Sequence, residues 1–427
     1  MNTMKSVSRY IGAMLLPVLF AGFAACDRVD YPDRFRQADG VPTVRFVRPA
    51  DEDVAITQAS LEQIICIVGD NLKSVHDLYF NDQQAVLNTS YMTENTIVVA
   101  VPKNLPKETT DKIYLITKDS TVVDYGFKVL LPAPKISSMS FEWAEPGETV
   151  TITGSYFAEP MTVEFPGVEA KQISNVTISS FDVVVPEGAQ PGKIKVTTAS
   201  GTAQSSFMYK DSRGMLFSFD DARLSHGWHT SAFVEDEYSF SGKYLQFYDE
   251  SGLKADGTDW PDAGYHFEYW AGNWNTPETY DDPDGIALNH VVDFTDWSTM
   301  ALKFEIMIPA DQPWTGTPMQ IYFCSLAMCT ISNANNTYFH DESISLPRAY
   351  WEPWKATGSY DTGGKWITVT FPFSDAFIYD WDGNKASGLL SPDSFAGFEI
   401  FMAHGDGTGS ACAPLIKIDN VRAVPYK

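Results

Sequence analysis

The 427-residue sequence has few cysteines and few basic side chains. It has five cysteines, and one of them, Cys26, lies near the N-terminus. The four that remain are too few for a disulfide scaffold to be the basis of the fold. A single bridge from Cys412 to Cys324 or Cys329 stays open if the compartment is oxidising. The sequence has 30 Lys and Arg residues and 55 Asp and Glu residues, so the formal net charge is −25. This acidity, without a Lys/Arg cluster, argues against nucleic acid as a partner and favours a neutral ligand.

The sequence also lacks the motifs of common hydrolases and nucleotide-binding enzymes. There is no Gly-x-Ser-x-Gly elbow, no His-Glu-x-x-His zinc motif and no P-loop. Glycoside hydrolysis needs two positioned carboxyl groups, and no Glu-x-Asp pair occurs. Scattered acids such as Glu268, Glu305 and Glu399 could still meet in space. A glycoside hydrolase is therefore kept as a minor alternative to a protein without enzymatic activity.

No apolar run is long enough to be a comfortable membrane span. The longest run covers residues 10–25 and follows Lys5 and Arg9, which is the arrangement of a secretory signal peptide. We therefore expect export from the cytoplasm.

The apolar run ends in Phe23-Ala24-Ala25-Cys26, which resembles a bacterial lipobox with Phe in place of the usual Leu. This resemblance predicts a signal peptide over residues 1–25, acylation of Cys26, and a polar, flexible tether over residues 26–40. Acyl chains on Cys26 would hold the protein on a membrane. The alternative is a plain signal peptide with an unmodified Cys26.

Two segments of the first half repeat one pattern. Ile67-Val68-Gly69-Asp70-Asn71-Leu72 matches Ile152-Thr153-Gly154-Ser155-Tyr156-Phe157, 85 residues further on, and residues 97–102 match residues 181–186. Each copy alternates short apolar and polar runs broken by Gly, Pro and Asn, which indicates an all-β sandwich. The glycine is expected to permit a backbone conformation closed to other residues, and the proline to end a strand.

These elements resemble TIG/IPT immunoglobulin-like domains. We predict the first such domain over residues 41–131 and the second over residues 133–210. The linker Leu131-Pro132-Ala133-Pro134 contains two prolines, which predicts a stiff connection.

The second half has a different composition. Ten of the eleven tryptophans lie between Trp228 and Trp381, and strand-like runs alternate with long aromatic loops. We predict a third all-β domain over residues 211–427, a larger jelly-roll-like β-sandwich. Its first and last segments, residues 216–221 and 416–422, resemble the paired terminal strands of carbohydrate-binding sandwich modules.

Three aromatic clusters in this domain are candidate platforms for sugar rings, because Trp and Tyr offer large faces and a polar handle. Asn273 beside them can hydrogen-bond hydroxyl groups. The candidate glycan-binding residues are Tyr269, Trp270, Asn273, Trp274, Trp314, Tyr350, Trp351 and Trp354. The alternative for each cluster is packing in the core, and Trp297, Trp366 and Trp381 favour core or rim positions.

No cofactor is predicted. Two Asp-rich turns, Asp282-Pro283-Asp284-Gly285 and Asp380-Trp381-Asp382-Gly383-Asn384, could hold a structural Ca²⁺ but lack the full EF-hand spacing. Plain turns are the favoured interpretation. His226 and His229 lack accompanying ligands and are expected to be ordinary surface or loop histidines.

The lipobox, the two TIG modules and the Trp-rich terminal domain make the chain similar to the surface glycan-binding proteins of Gram-negative polysaccharide-utilisation loci. Residues 350–354, 357–360 and 364–369 are similar to the xyloglucan-binding-type terminal domain of that family, and Pro313-Trp314-Thr315-Gly316 and Ile418-Asp419-Asn420-Val421 also fit it.

The resemblance implies a non-enzymatic lipoprotein on the outer face of the outer membrane. It would bind a neutral plant polysaccharide, either xyloglucan or another β-glucan or hemicellulose, by aromatic stacking. Its partners would be the outer-membrane transport and glycan-degrading proteins of the same system. The competing hypothesis is an adhesive or structural surface lipoprotein whose exposed tryptophans bind another protein.

Overall fold

The computed structural model describes residues 40–220, 231–255, 257–258, 264–270, 286–325 and 347–426. The chain divides into two units, Met1–Val129 and Leu130–Lys427. The predicted all-β class is confirmed, because the described residues form antiparallel sheets with only short helices. None of the helices in these ranges has the length and apolar character needed to cross a bilayer.

The described part of the first unit, from residue 40 onward, contains nine strands, and the last of them ends one residue beyond its boundary. They form sheets with the orders β1-β3-β6, β5-β4-β7-β8 and β2-β9. Ile65, Ile67, Leu78, Ile113 and Leu115 are wholly buried between them. The strands are β1 (Thr43–Pro49), β2 (Gln58–Ser60), β3 (Ile64–Asp70), β4 (Val75–Phe80), β5 (Gln83–Gln84), β6 (Thr96–Ala100), β7 (Lys112–Thr117), β8 (Val122–Gly126) and β9 (Lys128–Leu130).

The second unit begins with an eight-stranded immunoglobulin-like module. Its two sheets have the orders β10-β11-β15-β14 and β13-β12-β16-β17. The same strand order occurs in β1-β3-β6 and β5-β4-β7-β8, so the sequence repeat is also a repeat of topology. The strands are β10 (Lys135–Met139), β11 (Thr149–Ser155), β12 (Met161–Phe165), β13 (Val168–Glu169), β14 (Ile173–Ser174), β15 (Ser180–Val184), β16 (Lys195–Thr198) and β17 (Gly201–Gln204).

The repeated glycine serves close strand approach. A Cβ on Gly69 would lie 1.8 Å from a carbonyl oxygen of β1, and a Cβ on Gly154 would lie 1.9 Å from a carbonyl oxygen of β10. Neither glycine has a positive φ, and the left-handed positions fall two residues later, at Asn71 and Tyr156. The expectation of an unusual backbone conformation at the glycine is therefore wrong. The neighbouring strand leaves no room for a side chain there.

The C-terminal domain packs a six-stranded sheet against a five-stranded sheet. The first has the order β19-β20-β28-β22-β25 with β18 paired to β28, and the second has the order β21-β27-β23-β24-β26. Apolar side chains from the two inner faces form one core. The elements are β18 (Met215–Phe217), β19 (Ala232–Val234), β20 (Tyr244–Phe247), β21 (His266–Tyr269), α1 (Leu288–Val291), β22 (Met300–Met307), β23 (Met319–Cys324), β24 (Arg348–Trp351), β25 (Ile367–Pro372), α2 (Phe373–Ala376), β26 (Phe377–Tyr379), β27 (Gly397–Met402) and β28 (Ile416–Pro425).

The first and last strands of this domain pair as the sequence indicates. Met215 lies opposite Arg422, and Phe217 lies opposite Val421. The chain therefore enters and leaves the domain in the same sheet, and β28 is buried along nearly its whole length.

The outer face of the six-stranded sheet meets the preceding immunoglobulin-like module through buried charges. We call Glu142, Lys303, Glu305 and Arg422 the junction cluster. Glu142 comes from the module and accepts from Lys303 Nζ at 2.5 Å and from Arg422 at 2.9 Å. Arg422 also donates to Glu305 at 2.7 Å, and all four side chains are at most 4% exposed. Two positive and two negative charges thus compensate one another between module and domain.

Aromatic rings extend this junction. Phe240 of the C-terminal domain packs edge-on against Phe141 of the module with ring centroids 5.2 Å apart. Trp143 lies 6.4 Å and Trp366 lies 4.9 Å from the same ring. Trp366 thus occupies a half-buried junction position, which agrees with the expected core or rim role.

The cysteines described by the structure do not bridge Cys412. Its thiol is free and half-buried, so the possible bridge to Cys324 is not formed. Cys329 lies outside the described residues. Cys66 is buried in β3 as a small apolar side chain, and burial raises the pKa of its thiol.

Asp419, on β28 near the junction cluster, gives the second unit a pH-dependent stability. Burial raises its pKa to about 8, and the Glu305 and Asp220 carboxylates act in the same direction. The folded state therefore binds a proton that the unfolded state has already released above pH 4. This contribution is complete at low pH and is lost as the pH rises towards 8.

We expect Asp419→Asn, which stays uncharged, to gain stability over the natural chain as the pH increases. Urea unfolding at pH 5, 7 and 8.5 should show a difference in unfolding free energy that grows by at most about 1.4 kcal/mol per pH unit. Asp124→Asn, at an exposed position, is the control. A difference for Asp419→Asn that stays constant with pH would contradict the buried, protonated carboxyl.

Candidate functional site

The outer face of the five-stranded sheet in the C-terminal domain is unusually polar. Side chains alternate between the two faces of a strand, and the register places Glu268 and Tyr322 opposite Glu399. The residues between them on each strand point to the opposite face and contribute to the core between the two sheets. The outward-facing set, which we call the polar sheet face, is His266, Glu268, Gln320, Tyr322, Arg348 and Glu399, and all six are buried.

Three of these residues bring potential metal ligands together. His266 Nε2 lies 3.7 Å from Glu268 Oε2 and 3.6 Å from Glu399 Oε2, and one ligand atom of each residue falls within 4.8 Å of the others. An imidazole and two carboxylates suit Zn²⁺ or another divalent ion. Among the described residues, these three side chains are the set that could hold a metal ion. Its outermost members, His266 and Glu399, are 133 positions apart, which is why no sequence motif reveals it.

Arg348 connects the polar sheet face to a surface tryptophan. Its Nη1 donates to Gln320 Oε1 at 3.0 Å, and its guanidinium lies 5.0 Å from the Tyr322 ring centroid and 5.4 Å from that of Trp381. Gln320 in turn donates to the Trp381 carbonyl at 3.3 Å and to the Ala403 carbonyl at 3.1 Å. These contacts from the polar sheet face fix the position of Trp381.

Half-buried rings line one border of this sheet. We call Tyr350, Tyr379, Trp381 and His404 the aromatic edge. His404 stacks on Trp381 with ring centroids 4.6 Å apart and planes 25° apart. Tyr350 donates its hydroxyl to the His404 carbonyl at 3.0 Å, and its ring lies 6.3 Å from that of Tyr379. Burial raises the pKa of Tyr350, so this hydroxyl keeps its proton.

Polar groups accompany the rings of the aromatic edge. His404 Nε2 lies 2.6 Å from Asp382 Oδ1, and both side chains reach solvent. Asp380 Oδ1 accepts from the backbone N–H groups of Asp382 and Asn384, which closes the turn that carries Trp381. Rings with adjacent hydroxyl, imidazole and carboxylate groups can bind the apolar face and the hydroxyl groups of a sugar together.

Two of the predicted binding residues lie on this side of the domain. Tyr350 belongs to the aromatic edge. Trp270 packs against Tyr322 and Phe401 on the polar sheet face and is 8% exposed. Trp274 and Asn273 lie outside the described residues, as does the predicted turn at residues 282–285.

The expectation that Trp314 and Tyr269 face solvent is wrong. Trp314 is fully buried, and its Nε1 donates to the carbonyls of Gly316 and Thr317 at 2.8 Å each. Tyr269 is also fully buried, and its hydroxyl donates to the Ile286 carbonyl at 2.8 Å. Both side chains belong to the core between the two sheets.

Trp354 likewise lies in the packed interior, whereas Trp351 is half-buried and packs against the core from its border. Trp351 makes edge-on contacts with Trp314 at 5.3 Å and Phe371 at 5.3 Å, and Trp354 is 3% exposed. A β-strand of alternating faces sends Tyr350 outward and Trp351 towards the core, so these two half-buried neighbours point to opposite faces of the sheet.

Sequence reasoning missed the role of Trp381, His404 and Arg348. The sequence favours a core or rim position for Trp381. Its place in an Asp/Gly turn was the signal that could have marked it as a candidate binding residue. Nothing in the sequence places His404 against that turn, because their contact joins two distant loops.

The fold and the aromatic edge define a modular all-β binding protein, in which immunoglobulin-like modules precede a β-sandwich with a polar and aromatic face. Residues 209–425 match the model described as "Surface glycan-binding protein B xyloglucan binding domain", and residues 134–210 match the IPT/TIG domain model. The first match spans half of the chain. The chain therefore belongs to the surface glycan-binding protein B family, as the sequence resemblance predicted.

Known relatives agree with this assignment. The crystal structure of the surface glycan-binding protein PbSGBP-B from Prevotella bryantii is 39% identical, with 91% of this chain and 100% of that chain covered and a TM-score of 0.78. An IPT/TIG domain-containing protein of Bacteroides ovatus is 30% identical over 176 residues, or 38% of this chain and 34% of that protein. The chain thus spans about a third of the length of this curated relative.

Proposed function

We propose that the protein captures a neutral, β-linked plant polysaccharide, with xyloglucan the first candidate, on the aromatic edge of its C-terminal domain. The observation that carries the proposal is the partly exposed Trp381, fixed between Arg348 and His404 in a domain matched by a xyloglucan-binding family model.

Stacking supplies the affinity in this proposal. A pyranose ring has apolar C–H faces, and equatorial linkages keep successive rings of a β-glucan flat enough to lie on aromatic side chains. By analogy with bases stacked on aromatic rings, each stacked sugar contributes about 1–3 kcal/mol. Three stacked sugars at the upper end of this range correspond to roughly micromolar affinity.

Charge selects for a neutral ligand. The chain has a net charge of −25, and Asp382 lies directly at the aromatic edge. A uronate or sulfate would be repelled there, whereas sugar hydroxyl groups can donate to such carboxylates.

Binding without hydrolysis is part of the proposal. Glu268 and Glu399 do meet on the polar sheet face, but both are fully buried. Glu305 lies on the other sheet and accepts from Arg422 in the junction cluster. The burial of these three acids supports a binding protein without hydrolysis, and no structural Ca²⁺ or other cofactor enters the proposed mechanism.

The proposed location is the outer face of the outer membrane, with the chain anchored through acylated Cys26. There it would pass polysaccharide to transport and glycan-degrading proteins of the same system. Labelling with a radioactive fatty acid, compared between the natural chain and Cys26→Ala, tests the anchor. Equal labelling of both would overturn it.

Affinity electrophoresis of the chain from Asp27 onward tests the ligand. Native gels would contain xyloglucan, mixed-linkage glucan, galactomannan, xylan or no polysaccharide. We expect retardation in a neutral β-glucan gel and no release of reducing sugar. Free migration in every gel would contradict glycan capture and favour the adhesive alternative, and reducing sugar release would favour a hydrolase.

A further inference from the structure

The C-terminal domain contains a cavity of about 420 Å³ that is separate from the polar sheet face. We call it the loop cavity. The chain segment from Asp406 to Ser410, which begins two residues after His404, forms one side of it. The polar or aromatic side chains that line it are Thr315, Trp354, Lys355, Asp406, Thr408 and Ser410.

A fixed pair of opposite charges lies in the loop cavity. Lys355 Nζ contacts Asp406 Oδ2 at 2.9 Å and Glu352 Oε2 at 2.6 Å. Asp406 Oδ1 also accepts from the Thr408 hydroxyl at 2.6 Å and the Thr408 N–H at 3.0 Å. The hydrogen bonds from Thr408 and Lys355 hold the pKa of Asp406 at about 2, so its carboxylate is charged at neutral pH.

Two glycines build the wall of the loop cavity. A Cβ on Gly409 would lie 2.4 Å from Gly316 Cα and 3.0 Å from Trp354 Cη2. The Ser410 N–H donates to the Thr315 carbonyl at 2.9 Å across the same contact. The loop therefore lies directly against its neighbour and the Trp354 ring, and the shape of the cavity is set before any ligand arrives.

This lining matches a neutral sugar better than an ion or an apolar ligand. Its volume lies within the range of small-molecule sites. The ammonium of Lys355 donates, the carboxylate of Asp406 accepts, and three hydroxyl groups do both, which complements neighbouring hydroxyl groups of a pyranose. Glu352 and Asp406 together outweigh Lys355 in charge, so an anionic sugar is disfavoured.

We propose that the loop cavity is a second saccharide subsite, which takes one pyranose unit of a bound glycan through its hydroxyl groups. The inference rests on the proposed function, because the same glycan would occupy the aromatic edge. The loop that lines the cavity also places His404 on Trp381 at 4.6 Å. One loop thus borders both surfaces, and a single chain of sugars contacts both.

Isothermal titration calorimetry of the chain from Asp27 onward with xyloglucan and with cellohexaose tests the subsite. The variants are Asp406→Ala and Lys355→Met, with Trp381→Ala to mark the aromatic edge. Each cavity variant loses one charge-assisted hydrogen bond to the sugar. We therefore expect each to bind about tenfold more weakly to the glycan that binds the natural chain. Thermal unfolding of each variant shows that the domain remains folded.

Asp124→Ala and Lys112→Met are matched controls, because this pair is 2.8 Å apart and similarly exposed but lies in the first module. They should leave affinity unchanged. Unchanged affinity of both cavity variants, in a chain that binds and loses binding with Trp381→Ala, overturns the subsite and leaves the proposed function intact. A natural chain that binds neither probe nor any of the gel polysaccharides overturns both.

Discussion

The Glu142→Ala variant is expected to lose about 3–5 kcal/mol of unfolding free energy in the unit Leu130–Lys427, because it removes the carboxylate that pairs with the buried Lys303 and one of the two that pair with Arg422. Glu142 is 2% exposed and binds both Lys303 and Arg422. After the substitution, Arg422 keeps its hydrogen bonds to Glu305, whereas Lys303 loses its carboxylate partner. Urea unfolding followed by tryptophan fluorescence measures the loss.

Glu145→Ala is the matched control for this change. Glu145 lies three residues further on and pairs with Lys210 at 2.6 Å, but its side chain is 55% exposed. An exposed pair contributes at most about 1 kcal/mol, so this variant should unfold nearly as the natural chain does. Equal effects of the two substitutions would show that the junction cluster does not stabilise the unit.

The junction cluster should also make the unfolding of the module and the C-terminal domain cooperative. In the natural chain we expect the second immunoglobulin-like module and the C-terminal domain to unfold in one calorimetric transition, because buried charges and packed rings join them. Glu142→Ala should separate or broaden that transition. Two transitions already in the natural chain would contradict the shared unit.

Trp314→Ala is expected to lower the unfolding free energy by about 3–5 kcal/mol, because it removes a fully buried ring from the core. Two backbone carbonyls, those of Gly316 and Thr317, would also lose their indole donor. Trp381→Ala should instead keep the fold and weaken glycan binding by roughly 5-fold to 150-fold, the equivalent of one stacked ring.

Unfolding midpoints and gel retardation, measured on both variants, separate the two roles. A folded Trp314→Ala protein with natural stability would refute the core assignment. A Trp381→Ala protein that binds as tightly as the natural chain would remove the aromatic edge from the binding surface. Trp297→Ala is a further control, since Trp297 packs partly against the core and is not among the residues of the aromatic edge.

Much of the fold follows from local pattern. The repeat around Gly69 and Gly154 identified two modules of one topology, because strand alternation and turn residues act over a few positions. The pairing of the terminal strands of the C-terminal domain was also visible in the sequence. The reason for the glycine was not, since the carbonyl that excludes a side chain belongs to another strand.

The candidate site was only partly predictable. Aromatic composition indicated a sugar-binding domain, and Tyr350 and Trp270 do lie on the relevant side. Composition cannot distinguish a tryptophan in the core from one at an edge, because both occur in apolar alternation near turns. Trp314 was therefore predicted as a binding residue although it is fully buried, and the core or rim position predicted for Trp381 did not distinguish it from core tryptophans.

The sequence by itself determined the all-β class, the repeated modules, the acidic character and the family of this protein, because periodicity, composition and short motifs are local properties of the chain. The tertiary structure alone decided which rings reach solvent, which acids meet, and that Glu142 joins a module to the domain beyond it. These features depend on contacts between segments up to 280 positions apart, as between Glu142 and Arg422, and no local pattern encodes which partner a side chain finds.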